Sequence, residues 1–546
     1  MTIGEKITAL RVLKKLSQEQ LSEKLSVSRQ SVSKWEMDQA LPQIDKVLQL
    51  CELFSVSADA LLREEVSIGQ PCAAPELSAP EAGKHKYFGT DGFRGEANVG
   101  LTSMHAYKVG RFLGWYFSSP LAGCAKQNYR PRIVIGKDTR RSSYMLEYSL
   151  VAGITASGAD AYMLHVTTTP SVTYVTRQDE FDCGVMITAS HNPYYDNGIK
   201  IINQYGEKLD DKTAALVEAY LDGRLSILGV DADDLPLAQG EHLGRIVDYV
   251  AGRNRYVGYL ISVASHSYKE LRIGLDCANG ASWMIAKAVF DALGAQTFLT
   301  GASPDGLNIN CGCGSIHIEN LCAFVKENHL DVGFAFDGDA DRCIAVDENG
   351  AVVDGDGILY VLAARLKSRD MLDHNTMVAT VMSNSGLIKA LQKIGIRCVQ
   401  TAVGDRFVYE CMQNGGYRLG GEHSGHIILK KYATTGDGIL TAIMLTEEMR
   451  DEKASLSALA KPVALLPQRM RNLRVFDKAA AISDSAVQAK LEEVQRLLGG
   501  NGRILLRESG TEPVIRIMAE AESDQLCEAY IGMLAGVMQE RGLCCD

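Results

Sequence analysis

Residues 334–346 read FAFDGDADRCIAV, with Asp337, Asp339 and Asp341 at alternate positions and Arg342 immediately after them. Three carboxylates this close repel one another unless a cation lies between them. The same spacing opens an EF-hand calcium loop, and Glu348 falls at the twelfth position, where that loop ends. Two features oppose that reading. The sixth position needs glycine for a sharp turn and is Arg342, and the flanks are not helical. VGFAF before the loop and CIAVDENGAVVDG after it are strand-like, with Asn349-Gly350 as a turn signal. A solvated acidic turn is the plain alternative. The leading reading is a divalent-ion site at a strand end. Three hard carboxylates with few other ligands suit Mg2+, which keeps positions open for water or a phosphate oxygen. A site of that kind expects a phosphate.

Outward from this loop the pattern repeats. The β-branched runs RIVIG (132–136), GVMIT (184–188), LRIGLD (271–276) and MVATVM (377–382) alternate with helical stretches. That alternation predicts α/β domains with parallel or mixed sheets. From about Lys461 the strands RNLRVF, GRILLR and VIRIMAE surround helices and predict a smaller α+β unit. Residues 1–62 read as short helices. Residues 63–85 hold three prolines among Ala, Ser and Glu, without periodicity, which is linker composition. A chain of 546 residues is too long for one hydrophobic core, so several domains are expected.

The net charge of −11 argues against a chain that coats nucleic acid, although a small DNA-binding module remains compatible with it. Fourteen cysteines occur without a C-x-x-C pair or zinc-ligand spacing, which suits reduced thiols. The amphipathic, charged start is not a secretory signal, and no run of 18 apolar residues is present. The expected location is the cytoplasm.

Three more loops carry candidate chemistry. In GVMITASHNPYYDNGIK (184–200), Ser190 follows a strand and precedes Asn192-Pro193. The proline biases Asn192 away from helix, so a turn presenting Ser190 outward is expected. The adjacent His191 is poorly placed for a hydrolase triad, and G-x-S-x-G is absent. A structural turn with a capping serine is the alternative. In RESGTEPVIR (507–516), Ser509, Gly510 and Thr511 can supply N–H and hydroxyl donors, and Arg507 and Arg516 add charged forks. No GK[ST] follows, so this is not a Walker loop, and a polar turn between strands stays open. In GGEHSGH (420–426), Glu422, Ser424 and His426 alternate and would point one way in an extended loop. Such groups suit sugar hydroxyls or an amine. A glycine-rich turn and a metal site are the alternatives, although the spacing is not H-E-x-x-H.

In this order TASHNPYYDNGIK, DGDADR, GGEHSGH and RESGTEPVIR resemble the four signature loops of the α-D-phosphohexomutase superfamily. KYFGTDGFRGEAN (86–98), GKDTRRSS (136–143), DCANGA (276–281) and TAVGDRFV (401–408) resemble its bacterial phosphoglucosamine mutase branch. The resemblance covers about residues 86–543. It implies four domains around a central cleft. These are 86–240 with the catalytic serine, 241–350 with the metal loop, 351–460 with the sugar loop and 461–546 with the phosphate loop. It implies that Ser190 is carried as phosphoserine, and that Asp337, Asp339 and Asp341 bind Mg2+, which also touches that phosphate. Glucosamine 1,6-bisphosphate would be intermediate and activator. Arg507, Ser509, Gly510, Thr511 and Arg516 would grip the phosphate that is not reacting. Glu422, Ser424 and His426 would hold the sugar, with Arg342 on the substrate side. Lys200 is the candidate proton acceptor, a role that needs a lowered pKa, and a phosphate-binding cation is its alternative. Arg94 and His191 are supporting candidates. The implied reaction interconverts glucosamine 6-phosphate and glucosamine 1-phosphate toward UDP-N-acetylglucosamine. Phosphomannomutase or phosphoglucomutase activity is the runner-up.

Residues 3–62 carry a separate pattern. Ser17 with Gln20 forms a capping box, SVS makes a tight turn, and Ser28 caps RQSVSKWE. Leu21, Leu25, Val32 and Trp35 are the predicted shared core. The segment resembles the Cro/C1-type (XRE family) helix-turn-helix. That resemblance places Arg29, Gln30, Ser31, Ser33 and Lys34 on or near the exposed face of a recognition helix that contacts DNA. Residues 1–62 balance eight Lys/Arg against eight Asp/Glu, so weak non-specific DNA binding is expected. A helical protein-interaction module is the alternative. A transcription factor whose mutase-like body only senses sugar phosphate would be expected to lose Ser190 or an aspartate, and both are present. A homodimer is expected from both resemblances.

Overall fold

The computed structural model describes residues 2–14, 16–54, 61, 86–89, 91–122, 129–508 and 514–545. The expected linker, 63–85, and Ser509, Gly510 and Thr511 lie outside the described residues. The chain divides into two compact units near residue 84.

The first unit carries the helices Ile3–Leu13, Gln18–Lys24, Arg29–Glu36 and Ile44–Phe54. Thr2, Ser17 and Ser28 each accept a hydrogen bond from the first turn they precede, and Thr2 and Ser17 complete capping boxes. These caps satisfy N–H groups that helix starts otherwise leave unpaired. Leu21, Leu25, Val32 and Trp35 are all buried, joined by Ile7, Leu50 and Phe54. An ion pair between Arg11 Nε and Glu36, with Gln18 Nε2 donating to the same carboxylate at 2.7 Å, ties the first and third helices together.

The second unit holds four sheets. The first has seven strands in the order Phe88–Gly89, Gly92–Glu96, Asp196–Asn203, Cys183–Ile187, Arg132–Lys137, Asp160–Val166, Ile246–Asp248. The centre is parallel, and Asp196–Asn203 runs antiparallel to Cys183–Ile187. Ile246–Asp248 lies past the expected boundary at 240, yet it pairs with Asp160–Val166 and belongs to this sheet. Helices Ser103–Tyr116 and Arg141–Ala156 cross at a glycine contact. A Cβ on Gly110 would sit 2.1 Å from Leu150 O, so only glycine permits this approach.

The second sheet is ordered Val352–Val353, Cys343–Asp347, Val332–Phe336, Arg272–Asp276, Gln296–Thr300. Its first strand lies past the expected boundary at 350 and closes the antiparallel edge. The third sheet is ordered Arg397–Thr401, Thr376–Thr380, Leu419–Gly421, Ile427–Leu429. Helices Gly355–Ser368 and Gly438–Glu452 are buried along nearly their whole length and join the second and third sheets into one apolar core. The last sheet, Gln468–Arg474, Val514–Glu520, Arg503–Glu508, is antiparallel throughout and has its own core. Arg503 Nη1 donates to Val381 O at 2.7 Å, and the Ser385 N–H donates to Glu520 at 3.0 Å, so this domain is anchored on the third.

Candidate active site

The aspartate loop connects Val332–Phe336 to Cys343–Asp347, two strands paired antiparallel from Val332↔Asp347 to Phe336↔Cys343. Strand flanks settle against the EF-hand alternative. Asp337, Asp339 and Asp341 are all buried, and one carboxylate oxygen from each falls within 4.8 Å of the others. The Ser190 hydroxyl donates to Asp337 Oδ2 at 2.5 Å, and the Arg342 N–H donates to Oδ1 of the same residue at 3.2 Å. Thr169 Oγ1 donates to Asp339 Oδ2 at 2.5 Å. Asp339 Oδ1 and Asp341 Oδ1 are buried without a hydrogen-bond partner. Burial and the charges of Asp341 and Asp339 push the Asp337 carboxyl well above the usual range. Buried carboxylate oxygens without a partner, beside a carboxyl whose proton affinity their charges raise, are a donor set that fits a hard divalent cation.

Ser190 follows the strand Cys183–Ile187 and sits at φ 53°, a left-handed conformation that costs a non-glycine residue of order 1–3 kcal/mol. The surroundings hold it there. The Ser190 N–H donates to Thr188 Oγ1 at 2.9 Å, and Ser190 O accepts from Arg140 Nη2 at 3.2 Å and Asn310 Nδ2 at 2.9 Å. The expectation of an outward serine is corrected: Ser190 is 1% exposed, because the turn aims it under the aspartate loop of the next domain. His191 Nδ1 lies 3.3 Å from Ser190 Oγ, and burial, with Arg342 and Arg94 nearby, lowers its imidazole to about 4.

Lys200 comes from the strand Asp196–Asn203. Its Nζ donates to Asp339 Oδ2 at 2.8 Å and Asp341 Oδ2 at 3.1 Å and lies 3.4 Å from Asp91 Oδ2. The expected lowered pKa is not found. Burial pulls the ammonium down, but Asp339, Asp341 and Asp91 outweigh it and hold it well above its ordinary value. Arg94 pairs with Asp91, and its Nη1 lies 3.5 Å from Asn192 Oδ1.

The sugar-loop candidate is a tight turn, not an extended segment. Gly421 pairs with Ile427, the Glu422 N–H donates to His426 O at 3.0 Å, and Gly425 takes φ 90°. Ser424 Oγ lies 3.5 Å from Glu422 Oε2, so these two face one another. His426 turns aside. Its Nε2 accepts from the Gly436 N–H at 3.0 Å, its Nδ1 lies 3.7 Å from Asp341 Oδ1, and Asp341 and Asp405 raise the ring to about 8 against its burial. Arg507 and Arg516 are register partners on the antiparallel strands Arg503–Glu508 and Val514–Glu520, and burial, with Arg516 opposite, lowers the Arg507 guanidinium.

A cavity of about 370 Å³ opens beside the aspartates, with Asp91, Lys200, Lys208, Asp341 and Asp405 in its wall. The sequence reading missed Asp91, Thr169, Lys208, Asn310 and Asp405 as site residues. Asp91 and Asp405 lie inside GTDGFRG and TAVGDRFV, and that placement was the only available signal.

Comparison with known proteins matches this architecture. Phosphoglucomutase/phosphomannomutase alpha/beta/alpha domain I matches residues 85–225, domain II 254–350, domain III 354–465 and the C-terminal domain 470–537. A helix-turn-helix family matches residues 7–61. The phosphoglucosamine mutase of Lachnospira eligens is 58% identical over 457 residues, 84% of this chain and 99% of that protein. The phosphoglucosamine mutase of Bacillus subtilis is 47% identical over 459 residues, with the same coverage of 84% and 99%. In fold alone, N-acetylphosphoglucosamine mutase of Aspergillus fumigatus, solved with GlcNAc-6P and magnesium, matches at TM-score 0.60 and 18% identity, covering 84% of this chain and 97% of that one. A phosphoglucomutase/phosphomannomutase family protein of Burkholderia thailandensis matches at TM-score 0.66 and 23% identity, covering 83% and 97%.

The chain belongs to the phosphoglucomutase/phosphomannomutase family, with a helix-turn-helix domain ahead of the four family domains. Within that family its place is among the phosphoglucosamine mutases.

Proposed function

We propose that the chain interconverts glucosamine 6-phosphate and glucosamine 1-phosphate by carrying the phosphoryl group on Ser190. The observation that carries this is the 2.5 Å contact of Ser190 Oγ with Asp337, inside a buried three-aspartate cluster next to a lysine. Mg2+ held by Asp337, Asp339 and Asp341 would offset their repulsion and stabilise charge on the transferring group.

Phosphorylated Ser190 gives its phosphoryl group to the free hydroxyl of the sugar phosphate, forming glucosamine 1,6-bisphosphate. The sugar hydroxyl oxygen bonds to phosphorus as the phosphorus–Ser190 Oγ bond breaks, and the hydroxyl proton ends on the departing Ser190 oxygen. The bisphosphate turns end for end, and its other phosphate returns to Ser190. Arg140 and Asn310 fix the Ser190 backbone during both transfers. Lys200, bonded to two of the aspartates, serves as a positioning cation for the phosphoryl oxygens, which is the alternative reading of this residue. Glu422 and Ser424 take the sugar hydroxyls, Arg342 and His426 stand on the substrate side, and His191 and Arg94 support the serine turn. Arg507, Ser509, Gly510, Thr511 and Arg516 take the distal phosphate. Incubation with glucosamine 1,6-bisphosphate tests the step: the intact protein gains one phosphate by mass, and Ser190→Ala gains none. A phosphate on the variant would move the acceptor elsewhere.

The head is proposed to bind DNA through Arg29, Gln30, Ser31, Ser33 and Lys34. Arg29, Gln30 and Lys34 are exposed on the helix that Ser28 caps, while Val32 and Trp35 face the core. Recognition of a two-fold operator would pair two chains, the proposed homodimer.

A further inference from the structure

Glucosamine phosphates differ from glucose and mannose phosphates at C2, where an ammonium stands in place of a hydroxyl. An ammonium taken out of water needs a carboxylate within reach. Among the described residues, six carboxylates face the cavity beside the aspartate loop: Asp91, Glu207, Asp210, Asp341, Asp405 and Glu410.

Five have other duties. Asp341 belongs to the metal cluster and bonds Lys200. Asp91 faces three cations, Arg94, Lys200 and Lys208. Glu207 accepts from Tyr409 Oη at 2.8 Å and from Asn203. Asp210 caps the helix Asp211–Leu221. Glu410 accepts from Arg406 Nε at 2.8 Å.

Asp405 differs in position. Its cation, Lys208, lies 2.7 Å away and is divided with Asp91. Asp405 Oδ1 also accepts from the Arg406 N–H at 2.9 Å, while Asp405 Oδ2 is 3.5 Å from His426 Nε2 of the sugar loop and the adjoining Gly404 N–H donates to Glu422 Oε1 at 3.0 Å. The carboxylate is therefore fixed to the loop that would hold the sugar, and it borders the cavity.

We propose that the Asp405 carboxylate reads the C2 ammonium of the glucosamine phosphate and sets the preference for amino over hydroxyl sugars. This rests on the substrate reading above. The test measures kcat/KM for glucosamine 6-phosphate and glucose 6-phosphate on the same preparations of the full chain, Asp405→Asn and Asp405→Glu. A ratio from one preparation is insensitive to the fraction of protein that folds. The expected loss in Asp405→Asn is larger on the amino sugar by roughly tenfold or more, the range of a charge-assisted hydrogen bond. Asp405→Glu restores part of the ratio. Equal losses on both sugars, or no change in the ratio, overturn the proposal and leave Asp405 as a partner of Lys208. Intact protein with no preference for the amino sugar would instead overturn the substrate reading, before any variant is considered.

Discussion

At the residue scale, the site depends on side chains that meet across long stretches of chain. Arg140 is fully buried, pairs with Asp138 and reaches the carbonyls of Ser190 and Asn192. Arg140→Ala leaves Asp138 buried without its cation, so a loss of about 3–5 kcal/mol in urea unfolding is expected. Asp356 supplies a pH effect. Burial and the neighbouring Asp354 raise its carboxyl to about 7, while its Oδ2 accepts from the Asn384 N–H at 2.6 Å. Between its ordinary value of about 4 and 7, the native state holds a proton that the unfolded chain has lost, so this residue's contribution falls as pH rises through that window. In Asp356→Asn the melting temperature should lose that downward slope between pH 4 and 7, and an unchanged slope would assign it to other groups. Ser190 and the aspartates were legible because each sits in a compact motif. Thr169 was not: its partner Asp339 is 170 residues away, and nothing local in TTTPS marks a threonine that bonds a carboxylate. The electrostatics of Lys200 were not legible, because they depend on Asp339 and Asp341 from a distant loop and on Asp91 from the turn between two short strands.

At the element scale, caps and turns decide what the site presents. The capping box of Ser17 and Gln20 and the Ser28 cap read directly from sequence, because each is a contact over three residues. The candidate sugar loop, GGEHSGH, did not. Alternation suggested an extended segment, but Gly425 at φ 90° and the pairing of Gly421 with Ile427 fold it into a turn. Its register depends on the sheet it joins. On the helix Arg29–Glu36, Arg29 and Lys34 are exposed and sit away from the core. Arg29→Ala with Lys34→Ala should weaken DNA binding and lower its salt slope by about 2 if both contact phosphate, with helical circular dichroism unchanged. Unchanged binding would favour the protein-interaction alternative. Leu21→Ala, at the centre of the same helix pair, should cost about 2–5 kcal/mol and unfold the head cooperatively.

At the scale of the whole molecule, four domains were legible from alternating strands and helices, but two expected boundaries cut through sheets. Ile246–Asp248 is a short edge strand whose partner, Asp160–Val166, lies far back in the chain, so local pattern could not place it, whereas Val352–Val353 pairs with Cys343–Asp347 just across the Asn349-Gly350 turn, a signal the expected boundary passed over. Ionic bridges span the first and third domains: Lys208 joins Asp91 to Asp405, and Arg406 pairs with Asp211. The phosphoglucosamine mutase relatives match 84% of this chain while being covered to 99% themselves, so the head is additional to the enzyme body. A chain beginning at residue 84 should therefore keep kcat within about twofold of the full protein, as expected of a domain with its own core. A large loss would show that the head takes part in turnover.

The central claim is tested most directly by turnover of the purified full-length protein with Mg2+ and a trace of sugar bisphosphate. Glucosamine, glucose and mannose 6-phosphates are compared, with Ser190→Ala in parallel. The expected result is preference for glucosamine 6-phosphate and loss of all turnover in the variant. Turnover that survives Ser190→Ala, or a clear preference for glucose or mannose phosphate, would contradict the account.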